Sequence, residues 1–82
     1  MARYFFDLID GERGYSDAEG VEFADDDSAA DYACRVAAEL VRNREPETMQ
    51  WRIDVRNEGG ATLFQLPFAL SVVVWQMSHA QR

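Results

Sequence analysis

Carboxylates are the groups in this chain best supplied for chemistry. Ten of its fifteen Asp and Glu residues fall between Asp7 and Asp31, where Arg13 is the single opposing charge. Asp7, Asp10, Glu12, Asp17 and Glu19 offer oxygens of the kind that calcium or magnesium accepts. A calcium loop needs ligands at alternating positions, a central Gly and a closing Glu at about the twelfth position, and DLIDGERGYSDAEG does not keep that register. The stretch therefore reads as a solvated acidic loop. Zinc is poorly served, since Cys34 and His79 are the only soft ligands. Nucleophilic catalysis needs a base beside a Ser or Cys; His79 sits in a polar segment near the chain end, and Cys34 flanks the apolar side of a helix, where it packs as a small hydrophobe. Two carboxylates flanking a glycosidic bond need a cleft between them, and a domain this small offers little. Gly11 and Gly14 lie in an acidic turn and Gly59-Gly60 joins two strands, so no phosphate cradle is present. These residues call for no cofactor and disfavour an enzyme. A small metal-dependent protein or enzyme using residues 7–31 is the alternative.

The scaffold behind those residues is short. At 82 residues, a single domain spanning 1–82 buries only about 60–65% of its unfolded surface, so a partner subunit would add stability. An apolar content of 48% is too high for a disordered chain even with a net charge of −7, so the sequence folds. That charge repels polyanions, which weighs against nucleic acid and anionic membranes as partners. Tyr4-Phe5-Phe6 could stack on single-stranded bases, but the basic residues that flank such platforms are missing. One cysteine, no basic leader and no apolar run of bilayer length lead to the expectation of a reducing, cytoplasmic setting.

The order of elements reads strand, strand, helix, strand, strand. Arg3 to Ile9 alternates Tyr4, Phe6 and Leu8 on one face with Phe5 and Ile9 on the other. Val21-Glu22-Phe23 is long enough for a short returning strand. A helix opens at Asp26, Asp27 or Ser28 as cap, buries Ala29, Ala30, Ala33, Val36, Ala37, Leu40 and Val41 on one side, and closes with Arg42 and Arg44 before Pro46. Met49 to Arg56 alternates as a half-buried strand, Asn57-Glu58-Gly59-Gly60 turns, and Thr62 to Val74 returns. That last segment has thirteen residues against a partner of eight, so it bends at Pro67 or pairs elsewhere beyond it. The expected fold is α+β: a four-stranded, mostly antiparallel sheet with one helix on one face, β-β-α-β-β, and residues 76–82 as a flexible tail.

Taken together, RYFFDLIDG, the acidic turn DAEGVEF, the helix opening DDDSAADYA and the hairpin WRIDVRNEGGATLFQL resemble a set of short bacterial proteins grouped as a domain of unknown function, whose members open with a near copy of RYFFD. The resemblance spans about residues 3–74 and implies the same order of elements, with no activity, cofactor or catalytic residue to carry over. The chain departs from it at Pro67 and in WQMSHAQR. The layout alone is also similar to small HicB-type antitoxin domains, which often carry a DNA-binding extension that nothing in this chain resembles.

One helix shelters one face of a sheet, which leaves apolar residues over. Phe5, Ile9, Leu63, Phe68, Leu70, Val73, Trp75 and Met77 are the candidate interface residues, on the open face or past the sheet edge. The function expected from them is a non-catalytic interaction or regulatory module. It binds protein through a strand edge or the open face, and self-associates through residues 68–77 across a two-fold.

Overall fold

The structure, a computed structural model, describes residues 1–43 and 50–79, with the side chains of 71, 72, 74, 75, 78 and 79 excepted. Its elements in chain order are β1 (Ala2–Asp10), β2 (Arg13–Tyr15), β3 (Val21–Phe23), α1 (Asp26–Asn43), β4 (Arg52–Arg56), β5 (Thr62–Pro67) and α2 (Phe68–His79). The class is α+β with an antiparallel sheet, as the sequence predicts, but the sheet has five strands and a second helix follows it.

The aromatic-rich β1 is the axis of the sheet. On one side it carries β4 against Phe5–Ile9, and β5 lies beyond β4. On the other it carries two short strands in tandem, β2 against Leu8–Asp10 and β3 against Ala2–Tyr4. Residues 16–20 join these two and stand opposite the unpaired stretch Phe5–Asp7. Strand alternation then sorts the side chains: Tyr4, Phe6, Leu8, Ile53, Val55, Phe64 and Leu66 face the helical layer, while Phe5, Asp7, Ile9, Arg52, Asp54 and Arg56 face the opposite way.

α1 covers the first of these faces at short range. Ala29, Ala33 and Ala37 are wholly buried, so backbone and sheet approach with only methyl groups between them, and Val36, Leu40 and Val41 pack at the margins. The helix begins one residue earlier than the expected caps. The Asp25 carboxylate accepts the Ser28 N–H at 2.8 Å, and this bond, with the Ser28 hydroxyl, holds Asp25 below the usual carboxylate range. Asp26 instead accepts the Tyr4 hydroxyl at 2.7 Å, which ties the helix start to β1. Arg44, Pro46 and Met49, expected to close α1 and open β4, lie outside the described residues.

The long final strand expected over 62–74 is corrected by the structure. β5 stops at Pro67, and the last rung is the Phe68 N–H donating to the Trp51 carbonyl at 2.8 Å. Beyond Trp51 this antiparallel register has no described strand left to pair with, and the backbone satisfies itself as helix α2, packed along α1. Residues 76–79, expected in a tail, continue that helix. A register shift between Val55 and Arg56 places Leu63 as the extra residue in β5, which turns it onto the core. Ile53, Val55 and Phe68 are the largest wholly buried side chains, each worth about 1.5–3 kcal/mol of apolar burial.

Candidate functional site

The acidic segment folds back on itself around two of its carboxylates. Asp7, on β1, is 8% exposed and lies directly across from Asp54 of β4, a like-charge pairing that would be costly alone. Arg56 relieves it. Its Nε donates to Asp7 Oδ2 at 2.6 Å and its Nη2 to Oδ1 at 3.2 Å, a two-point contact between residues 49 apart in sequence. Arg52 does the same for Asp54 at 2.8 and 3.4 Å. The Arg56 guanidinium also lies 5.0 Å from the centre of the Phe5 ring, partly covering it.

Asp17 completes the arrangement from the loop 16–20. Its own N–H donates to Asp7 Oδ1 at 2.9 Å, and the Arg56 Nη2 donates to its carbonyl at 3.1 Å. The Asp17 carboxylate accepts three backbone N–H groups, each at 3.1 Å: Phe6 on Oδ2, and Glu19 and Gly20 on Oδ1. The Phe6 donor belongs to the stretch of β1 that β2 and β3 leave unpaired, so a side chain does the work of a missing strand. Gly20 closes the loop with φ +74°; a Cβ there would stand 2.8 Å from the Tyr4 carbonyl oxygen and from Arg3 Cγ.

Burial pushes both carboxyls up, but the donors outweigh it. The Arg56 hydrogen bond and the Asp17 N–H bring Asp7 below the ordinary range, while the Gly20, Phe6 and Glu19 N–H groups and Arg56 do so for Asp17. Both are therefore anionic near neutrality and their oxygens are occupied by the chain's own donors, which suits anchoring and not proton transfer. Among the described residues no group of three or more His, Cys, Asp or Glu could hold a metal ion. Composition alone suggested a solvated loop here. The Asp7–Arg56 contact was not legible, because nothing local links the two residues.

The predicted interface residues separate in space. Phe68 is wholly buried and Leu63 packs on the core, so neither belongs to an exposed patch. Phe5 and Ile9 are half-buried on the open face. Leu70, Val73 and Met77 are 55%, 50% and 71% exposed, and their spacing on α2 puts them within an arc of about 60°. The Trp75 side chain lies outside the described residues. Elsewhere, Tyr15 stacks on Trp51 at 6.0 Å between ring centres, and with Leu8 and Leu40 the pair lines a groove of 320 Å³. A smaller groove of 240 Å³ between the helices is lined by Ala38, Val41, Arg42 and Gln76.

An antiparallel sheet with an alanine-lined helix on one face and an ion-paired opposite face defines a small α+β domain in which Asp7 and Asp17 act as hydrogen-bonded anchors. The family described as a domain of unknown function (DUF6894) matches residues 3–69, and the chain belongs to that family. The match takes in the whole sheet, α1 and the loop 16–20, and ends at the second residue of α2. Among curated proteins and among solved structures, none matches the chain. Among the described residues no helix is long and apolar enough to cross a membrane.

Proposed function

We propose that this protein is a non-catalytic interaction module that works as a homodimer joined through α2. The observation that carries the reading is the stripe of Leu70, Val73 and Met77, all at least half exposed on a helix that contains no Asp, Glu, Lys or Arg. An uncharged helix with an exposed apolar stripe is normally covered, and among the described residues α1 packs along a different side of α2 from this stripe. Charge supports a second copy as the cover. Two chains of net charge −7 repel, and α2 adjoins β5, at the edge of the sheet opposite the acidic segment. A two-fold relating two α2 helices is self-complementary without any charged pair across it.

The test is sedimentation equilibrium of the native chain and of Val73→Arg. The native protein should show twice the 9.4 kDa chain mass at micromolar concentration, with a melting temperature that rises with concentration. Val73→Arg should be monomeric with an unchanged circular dichroism spectrum. A native chain that stays at 9.4 kDa at high micromolar concentration overturns the reading.

A further inference from the structure

We infer that the two copies join their sheets by antiparallel pairing of β5 with the partner's β5, centred on Gln65. This rests on the self-association proposed above and specifies the backbone contact that orients it.

The two sheet edges differ in kind. The β2/β3 edge is split into two three-residue strands, set among acidic residues and plugged at its gap by Asp17. The β5 edge is continuous from Thr62 to Pro67, and the sequence carries no charged side chain from Gly59 to Ser78. Exposed edges are ordinarily guarded by charge, bulges or very short strands. Here the guards are a bulge at Leu63 and Pro67 at the far end, which leaves the middle open.

Alternation along the strand identifies the open groups. The Phe68 N–H bonds to Trp51, so Phe68, Leu66 and Phe64 direct their backbone groups toward β4, and Gln65 and Pro67 direct theirs away. Pro67 falls on the outward side, where its missing N–H costs the β4 ladder nothing. Gln65 therefore presents both an N–H and a carbonyl outward, and its side chain is exposed. A two-fold perpendicular to the sheet at this residue lets Gln65 exchange both hydrogen bonds with Gln65 of the partner subunit.

The short open stretch also selects the occupant. One residue with both groups outward, next to a proline, holds an unrelated extended peptide weakly. A second copy adds more. The same axis keeps both helical layers on one side of the joined sheet, and α2 follows β5 without an intervening loop, so the two α2 helices with their exposed Leu70, Val73 and Met77 flank the joint. The acidic β2/β3 edges then lie at the two far ends of the assembly, where their repulsion is least.

Amide hydrogen exchange of the native protein, read residue by residue at high and low concentration, tests the pairing, together with Gln65→Pro. The Gln65 amide should exchange at least tenfold more slowly at the concentration where the dimer forms, and Gln65→Pro should sediment as a monomer with a native spectrum. A dimer whose Gln65 amide exchanges at the monomer's rate overturns the β5 pairing and leaves the α2 contact standing. That readout decides the matter even if Gln65→Pro does not fold. A native chain that is monomeric throughout removes both.

Discussion

Replacing Asp17 by Asn exchanges a single oxygen for an NH2 group and isolates what the carboxylate does for the loop. In the native chain three backbone N–H groups converge on Asp17: Glu19 and Gly20 on one oxygen, Phe6 on the other. The amide oxygen can serve only one of these two sets. In its better orientation it keeps Glu19 and Gly20 and turns two hydrogens toward the Phe6 N–H, so donor faces donor. A hydrogen bond to a charged group is worth about 1.5–3 kcal/mol, so a net loss of about 2 kcal/mol is expected. For a domain of this size that is a fall in melting temperature of roughly 10 °C. The effect depends on pH in a defined sense. Burial raises the Asp17 carboxyl, the Gly20, Phe6 and Glu19 N–H groups and Arg56 lower it further, and the folded value lies below the unfolded one. Its stabilisation is therefore complete above the unfolded value of about 3.9 and disappears as pH falls through the folded value. The melting difference between the two proteins should narrow as pH is taken from 7 toward 3, and the Phe6 amide should lose exchange protection in the variant. A melting difference under about 3 °C at pH 7, or one that does not shrink on acidification, would refute the assignment of Asp17 as an anionic anchor.

Two further outcomes follow from the same region. The Tyr4 hydroxyl is pushed up to about 12 by its hydrogen bond to Asp26, helped by burial and by the charges of Asp26 and Asp25. The stability it confers should be full below pH 10 and fade as pH rises through about 12, and ultraviolet titration of Asp26→Asn should show this phenol ionising at lower pH. Gly20→Ala should lower the urea midpoint well beyond Gly11→Ala. Both sites have positive φ, costing an alanine about 1–2 kcal/mol, but only at Gly20 does the added methyl meet a carbonyl oxygen, at 2.8 Å, while Gly11 has nothing within 4 Å. Equal midpoints for the two variants would contradict the close approach of loop and strand.

Much of the fold was legible because it is written locally. The alternation of β1, the alanine face of α1 and the Asn57–Gly60 turn are patterns of a few residues that stand where the sequence places them, and β4 keeps its alternation but opens at Arg52, with Gln50 and Trp51 ahead of the strand. α2 was not legible for an equally local reason. FALSVVVW is apolar on every side, so it has no helical period, and its three consecutive valines favour a strand. What decided its state was tertiary: after the Trp51–Phe68 rung no described strand was available, and α1 offered a surface. Pro67 and the excess length marked the place without naming the outcome. At the site, the acidic run was visible but the difference between Asp7 or Asp17 and the neighbouring carboxylates was not, since it depends on Arg56 reaching Asp7 from 49 residues away and on backbone N–H groups closing on Asp17. Of the predicted interface residues, Leu70, Val73 and Met77 are exposed on α2, whereas Phe68, counted with the overlong segment 68–77, is wholly buried.

The plug formed by Asp17 has a bearing on how large an assembly this sheet can build. A ribbon with two receptive margins can recruit neighbours indefinitely and grow into a fibre. With the Phe6 amide already stoppered and the flanking strands only three residues long, one margin offers a newcomer little continuous backbone. If copies join through β5 as proposed, growth by strand addition would end after a single step, with the loop 16–20 as a terminator built into the monomer.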